Sequence, residues 1–238
     1  MPTIAIIIPC YNEELRLSKN NIQDLINGNK NIKIYFANDG STDNTKNLID
    51  EICAEIPNCY AIHFMQNEGK SKTIYKAVHQ LNAQNQFDYI GYFDADFSTP
   101  SNELLKLIHQ LEIHQPNFIF ASRIKTLNAT INRKVHRHFI GRAILTIINI
   151  KHHLGIYDTQ CGCKIFSKQM INEAFKDKFF TTWLFDVEVF VRLKNKNLLN
   201  QGTEFPIKEW YDVEGSKLKF THFFKIFKEI IILYTKYK

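Results

Sequence analysis

The sequence predicts an α/β fold, a mainly parallel sheet with helices on both faces, and three observations predict it. Short apolar runs alternate with segments of 3.6-residue periodicity through the first half of the 238 residues. Polar clusters follow the runs, where the carboxyl ends of parallel strands meet ligands. The chain is 45% hydrophobic and 23% charged, a globular composition able to bury a core, which excludes disordered, collagenous and low-complexity classes.

In chain order, strands are expected at Thr3–Pro9 (rich in Ile), Asn31–Ala37 (alternating), Tyr60–Met65, Phe87–Phe93 (aromatic) and Phe118–Ala121. Helical periodicity covers 14–27, 44–56, 70–83 and 101–114. Asp43 is expected to cap the second of these and Ser101, after Pro100, the fourth. Beyond Arg123 the alternation stops. A long helix from Arg137 to His153, a strand and turn around Asp158–Ser167, a helix after Phe185, a strand near Thr203–Trp210 and a last helix from Phe220 onward are expected. With no repeat and no Gly/Ser- or Pro-rich linker, one domain is expected over 1–238, with halves 1–122 and 123–238.

No run reaches the roughly 18 apolar residues of a spanning helix, and Met1-Pro2 leads straight into a strand, so the chain is expected in the cytosol. Five cysteines, an odd number without metal spacing, read as reduced thiols. His136, His138, His152 and His153 cluster without Cys or carboxylate partners and do not read as a zinc site.

Charge is segregated. Residues 1–122 hold nine Lys/Arg against fourteen Asp/Glu, net −5, and residues 123–238 hold twenty-one against ten, net +11. Between Glu112 and Asp158 there is no carboxylate, while Arg123, Lys125, Arg133, Lys134, Arg137, Arg142 and Lys151 accumulate. Such a block must face an anion: nucleic acid, acidic lipid or a phosphorylated substrate.

The first strand ends in Pro9-Cys10-Tyr11-Asn12-Glu13-Glu14 and the second in Asn38-Asp39-Gly40-Ser41. Each reads either as turn and capping chemistry or as carboxylates and amides placed to read a ribose or a base edge. Asn67-Glu68-Gly69-Lys70 follows the third strand and opens a helix, so its backbone N–H groups and Lys70 are placed to meet a phosphate or base. The sharpest signal is Asp94-Ala95-Asp96 after the aromatic strand. Two carboxylates one residue apart repel unless a cation lies between them, and hard oxygen ligands favour Mg²⁺ or Mn²⁺ shared with substrate phosphates.

Together these stretches resemble the family 2 glycosyltransferases, of GT-A fold, which use nucleotide-sugar donors. The resemblance implies a Rossmann-like sheet with an acceptor-side elaboration in the second half. It implies donor binding by Pro9, Tyr11, Glu13, Asp39, Gly69, Lys70, Asp94, Ala95 and Asp96, with Asp94 and Asp96 holding Mg²⁺ or Mn²⁺ and the diphosphate. Many members carry Asp-Asp-Gly-Ser where this chain has Asn38-Asp39-Gly40-Ser41, so only Asp39 inherits the base-reading role. Ser122-Arg123, Asp158-Thr159-Gln160-Cys161-Gly162-Cys163-Lys164, Trp183-Leu184-Phe185-Asp186-Val187-Glu188, Trp210 and Gly215-Ser216-Lys217-Leu218 look like the dolichyl-phosphate glucosyltransferase branch. Cys163 stands where that branch usually has an aromatic residue, and an N-terminal anchor like that of its eukaryotic members is not expected.

The implied reaction is an inverting, metal-dependent transfer of glucose from UDP-glucose to a polyprenyl phosphate, with Asp96 and Asp186 catalytic. Arg123, Arg133, Arg137, Lys164 and Lys217 are expected to bind the acceptor phosphate. Apolar positions 139, 140, 143, 144, 147 and 148 read either as a prenyl- or lipid-accepting stripe or as the packed face of a basic helix. In the last helix Phe220, Phe223, Phe224, Phe227, Ile231 and Tyr234 share one face, which suits either a membrane interface or the core. The expected partners are a nucleotide-sugar donor, a polyprenyl-phosphate acceptor and the cytoplasmic membrane face, with no nucleic acid. The rivals are transfer to a sugar hydroxyl in polysaccharide synthesis and a non-catalytic nucleotide- or membrane-binding module.

Overall fold

The computed structural model describes residues 1–27, 29–133, 135–212 and 221–237; the side chains of 135–139 and 221–223 are not described. Strands β1 (Ile4–Cys10), β2 (Ile32–Asp39), β3 (Cys59–Phe64) and β4 (Tyr89–Phe93) alternate with helices α1 (Lys19–Ile26), α2 (Thr45–Glu55) and α3 (Lys70–Gln84). Next come α4 (Ser101–His114), β5 (Phe118–Ser122), β6 (Thr130–Asn132), α5 (Val135–His152), β7 (Cys163–Ser167) and α6 (Lys168–Ala174). The chain closes with α7 (Phe185–Asn195), β8 (Gly202–Pro206), β9 (Glu209–Tyr211) and α8 (Thr221–Lys236).

Seven strands form one sheet in the order β3-β2-β1-β4-β7-β5-β8. All its pairings are parallel except those of β7, which runs antiparallel to both β4 and β5. The second half therefore threads a strand into the sheet begun by the first. The sheet is covered on both faces, so period-two alternation divides one apolar run between two cores. Ile4, Ile6 and Ile8 pack with Ile22, Ile49, Ile52 and Leu107, whereas Ala5 and Ile7 pack with Ile74, Ala77, Val78 and Leu81.

The expected strands and helices of the first half are present with edges moved by a few residues, save that α1 begins at Lys19; Glu13–Leu17 is a turn closed by Leu17 N–H on the Glu13 carbonyl, 2.9 Å. Asp43 lies one residue before the N-cap of α2, which is Asn44 and makes no side-chain cap bond; Asp43 accepts the Thr45 N–H at 3.0 Å in a turn just ahead of the helix. Ser101 is instead the first helical residue, and its hydroxyl donates to the Asn21 carbonyl at 3.0 Å, tying α4 to the start of α1. The strand expected near 203–210 splits: β8 joins β5, and β9 leaves to pair with β6 in a separate parallel ribbon. β6 and α6 were not expected; the latter is seven residues, too short to show a period. All five cysteines are free.

Candidate active site

The exits of β1, β2 and β4 and the start of α3 enclose a cavity of about 210 Å³ that contains Pro9, Tyr11, Glu13, Asp39, Lys70, Asp94, Ala95 and Asp96. Local bonds hold it. Asn12, at φ 55°, accepts the Thr42 N–H through Oδ1 at 2.9 Å, and its own N–H donates to Ser41 Oγ at 3.1 Å. Asn38 accepts the Ser41 N–H at 3.1 Å and places Nδ2 3.2 Å from His63 Nδ1, so an amide there serves two neighbours with opposite needs.

Asp39, 4% exposed, accepts the N–H groups of Glu68 (3.0 Å) and Gly69 (2.8 Å). It thereby fixes the entry to α3, where Gly69 turns at φ 88°, a conformation that favours glycine. Lys70, the next residue, pairs with Asp94 Oδ1. Burial works against the Lys70 ammonium, but the carboxylates of Asp94, Asp186 and Asp96 outweigh it and raise its pKa.

Asp94 and Asp96 sit at the β4 exit. The Asp94 N–H donates to the Gly162 carbonyl at 3.0 Å, and a Cβ on Gly162 would lie 2.0 Å from Asp94 Oδ2, so only glycine leaves room for that carboxylate. Asp96 Oδ1 accepts the Ser98 N–H at 3.0 Å, and between them Phe97 is held at φ 50°, a strained conformation for an aromatic residue. Glu13 faces the same cavity, and its buried Oε2 has no hydrogen-bond partner. Burial raises the Glu13 pKa, partly offset by Arg16, and the Asp96 and Asp94 charges add to the rise. Among the described residues no three His, Cys, Asp or Glu side chains form a metal-binding group. Two hard carboxylates, an orphaned third and a glycine cradle nonetheless fit a divalent cation completed by phosphate oxygens.

A second cavity of about 280 Å³ opens on the other side of the same two aspartates. Its polar wall is Asp94, Asp96, Arg123, Arg133, Thr159, Gln160 and Asp212; its apolar wall is Ile140, Ile144, Leu145 and Ile148 of α5, Trp183, Leu184, Val187, Trp210 and Ile226. Arg123 grips Asp158 bidentately (Nε to Oδ2 2.6 Å, Nη2 to Oδ1 2.8 Å) and lies 5.2 Å over the Trp210 ring. Burial alone would raise the Asp158 pKa, but the Arg123 charge and hydrogen bonds hold it well below the carboxylate range. Burial, and then the like charge of Arg123, lowers the Arg133 pKa. Two half-buried guanidiniums, one of them already paired with Asp158, give this cavity a wall that suits an anion. Gln160 Nε2 is a buried donor without a partner on this wall.

Two expected site residues are placed otherwise. Lys164 is not available to an acceptor phosphate: it is 0% exposed, with Nζ 2.5 Å from both Asp186 Oδ1 and the Cys161 carbonyl. Strand parity explains it, because Cys163 and Ile165 enter the core of α1, α2 and α4, which turns Lys164 and Phe166 to the opposite face. Asp186 is 4% exposed and lines neither cavity; its Oδ1 also accepts the Tyr92 hydroxyl at 2.5 Å. Burial, and then Asp186, pushes the Tyr92 hydroxyl well up, so it remains a donor. Lys217 lies outside the described residues, as does the side chain of Arg137. Phe220 and the side chains of Phe139 and Phe223 lie outside them as well.

The α5 stripe divides, with Ile140, Ile144 and Ile148 on the cavity and Ile147 exposed. α8 likewise has two apolar faces, Ile226, Ile230 and Leu233 buried, Phe224, Phe227 and Ile231 exposed. Neither α5 nor α8, nor any other described helix, is long and apolar enough to cross a membrane.

The chain matches the profile described as Glycosyl transferase family 2 over residues 5–175. The chain belongs to that family, and it is a glycosyltransferase. It is 29% identical to a dolichyl-phosphate beta-glucosyltransferase of Trichomonas vaginalis, over 99% of this chain and 74% of that one. It is 28% identical to the dolichyl-phosphate beta-glucosyltransferase of Saccharomyces cerevisiae, over 98% and 75%. Its fold is similar to that of glucosyl-3-phosphoglycerate synthase from Mycobacterium tuberculosis, solved with Mn²⁺, UDP and glucosyl-3-phosphoglycerate, with a TM-score of 0.70 at 12% identity over 98% of this chain and 79% of that one. The sheet order and helices of this family 2 glycosyltransferase are those of the GT-A arrangement.

Sequence reasoning assigned no task to Asp158, Gln160 or Gly162, nor to Glu229, whose carboxylate accepts the backbone N–H groups of Thr182, Trp183 and Leu184. For Glu229 a signal existed: it is the one acid between Thr221 and Lys236, and it shares a helical face with Ile226, Ile230 and Leu233.

Proposed function

We propose that this family 2 glycosyltransferase transfers glucose from UDP-glucose to a polyprenyl phosphate of dolichyl type, with inversion, at a membrane surface. One observation carries the reading: a polar, carboxylate-rich cavity and a basic and apolar cavity meet at Asp94 and Asp96. The first suits a nucleotide diphosphate, and the second suits a phosphate with a hydrocarbon tail. Two similar proteins are named dolichyl-phosphate beta-glucosyltransferases, which supports the acceptor and the sugar.

In this mechanism Asp39, the Glu68–Gly69 backbone and Tyr11 seat the nucleoside, and Lys70 lies against the diphosphate. Asp94 and Asp96 would hold Mg²⁺ or Mn²⁺, which supplies charge neutralisation of the leaving diphosphate when bound. Arg123 and Arg133 orient the acceptor phosphate, whose oxygen forms a bond to the anomeric carbon while the bond from that carbon to UDP breaks. UDP leaves with the electron pair, and one displacement inverts the centre. No proton need be taken from a phosphate dianion, which agrees with an Asp186 enclosed between Tyr92 and Lys164.

The exposed Phe224, Phe227 and Ile231 stripe of α8, with Lys225 and Lys228 exposed beside it, suits an anionic bilayer. A screen of nucleotide-sugars with polyprenyl phosphate in detergent tests the reading, with glucosyl phosphoprenol of inverted configuration as the expected product. Efficient transfer to a sugar hydroxyl, with none to the lipid phosphate, would overturn it.

A further inference from the structure

The segment 180–184 enters α7 and forms part of the acceptor-side wall through Trp183 and Leu184. Its five consecutive backbone N–H groups precede a helix and need acceptors. Two carboxylates supply them. Glu188, on α7 itself, takes Phe180 N–H (3.0 Å), Thr181 N–H (2.9 Å) and the Thr181 hydroxyl (2.7 Å). Glu229, on α8, takes Thr182 N–H (3.0 Å), the Thr182 hydroxyl (2.8 Å), Trp183 N–H (2.9 Å) and Leu184 N–H (2.8 Å).

Glu229 is 4% exposed, and among the described residues no cation pairs with it. A buried carboxylate without a countercharge is costly unless its bonds are complete, so α8 and the 182–184 backbone are held in one register. The same helix places Ile226, one turn earlier, in the cavity wall. Past its end, Tyr237 donates to Glu188 at 2.6 Å. The opposite face of α8 carries Phe224, Phe227 and Ile231, exposed by 84%, 65% and 48%. Beside it on α5, Ile147, whose carbonyl accepts the Tyr234 hydroxyl, and Ile150 are exposed by 43% and 69%.

We infer that Glu229 is a positioning residue for the acceptor subsite, transmitting the seating of α8 on a bilayer to the Trp183–Leu184 wall. This rests on the membrane-surface reading above. Because α8 touches lipid with one face and writes the cavity wall with the other, lipid contact and acceptor affinity are reciprocally linked.

The test uses the full chain with Glu229→Gln and the milder Thr182→Val, which removes one hydroxyl bond at an exposed position and leaves the carboxylate in place. Each is assayed with a water-soluble short-chain isoprenyl phosphate, with and without vesicles of phosphatidylglycerol and phosphatidylcholine, and UDP affinity is measured separately. For Glu229→Gln, kcat/KM for the acceptor is expected to fall by roughly 10–100-fold through KM, with UDP affinity unchanged; Thr182→Val is expected to fall less in the same direction. Vesicles are expected to raise wild-type kcat/KM and to leave Glu229→Gln unmoved although it binds them equally. A wild-type acceptor KM in Glu229→Gln, or parallel loss of UDP and acceptor binding in both variants, overturns the positioning role. Wild-type protein that binds vesicles without a rise overturns the linkage alone, and wild-type protein that does not bind vesicles overturns the membrane reading instead.

Discussion

The two cavities that meet at Asp94 and Asp96 are built by opposite means. On the side proposed for the donor the side chains come from strand exits between Pro9 and Asp96 and from the head of α3, and the parallel sheet sets those exits side by side. On the acceptor side the walls come from α5, the 158–162 loop, the segment before α7, the β9 strand and α8, with no regular array to align them. Buried carboxylates do that work: Asp158 grips Arg123 across 35 residues and Glu229 grips Thr182 across 47. A parallel sheet sets the spacing of its exits, and bonds such as those from the Glu68 and Gly69 N–H groups to Asp39 only fix the loops between them, whereas an irregular wall relies on such bonds to join its segments at all.

The comparison breaks first where the cavities touch. Asp96→Asn is expected to lower turnover by about 10²–10³-fold or more with the fold intact, because the proposed reading sets its charge against the diphosphate and no core contact goes with it. Turnover at saturating Mn²⁺ with circular dichroism as control checks it, and more than a tenth of wild-type activity would remove Asp96 from the reaction.

The next largest effect falls on the acceptor side alone. Asp158→Asn leaves Arg123 buried without its countercharge, at a cost of about 3–5 kcal/mol of stability near neutral pH. The pH dependence has a definite sign. The folded-state pKa of Asp158 is depressed, so its contribution is complete above the ordinary carboxylate pKa and is lost as pH falls towards the folded value. Urea denaturation of the two proteins should therefore give free energies that converge below about pH 4; a gap that stays constant to pH 2.5 would mean that the ion pair is not its source.

The same contrast decides what the sequence could reveal. The pieces of the donor side were legible because each stands at or just past the end of an apolar run, so that strand, turn and polar residue adjoin in the chain: Asp39 as the last residue of β2, Lys70 at the head of α3, Asp94 after β4. On the acceptor side the basic block was legible as charge, but its partners were not. Lys164 was counted with the phosphate-binding cations of the basic second half, and only the parity of β7, set by pairing Tyr92 with Lys164, turns it onto α7. The two-faced character of α8 was half legible, since periodicity reports an apolar stripe and not which side of it the core occupies.

A smaller effect sharpens the donor side. Asp39→Ala removes two charge-assisted hydrogen bonds to the Glu68 and Gly69 N–H groups, each worth about 1.5–3 kcal/mol where it is made. UDP affinity by calorimetry is expected to weaken by about 10–100-fold, with acceptor KM little changed. Equal weakening of both would show that the two cavities are not independent.

The smallest expected effect is no displacement at all, and it bears on the chemistry of the acceptor. A sugar hydroxyl needs a base in the transition state, and loss of that base costs about 10²–10⁴ in rate. A phosphate monoester has a second pKa near ~6 and is already an oxyanion at neutral pH. Wild-type kcat/KM with polyprenyl phosphate is therefore expected to rise with pH through about 6 as the acceptor ionises. In Asp186→Asn the plateau falls, because Lys164 and Tyr92 lose the carboxylate that both now contact at 2.5 Å. The limb stays where it was, because it belongs to the acceptor, and its position does not depend on how much of the variant is folded at a temperature well below its unfolding midpoint. If the limb vanishes in the variant and high pH restores the rate, Asp186 reaches the acceptor as a base despite its enclosure. Transfer to a sugar hydroxyl would then displace lipid phosphate as the reading of the second cavity.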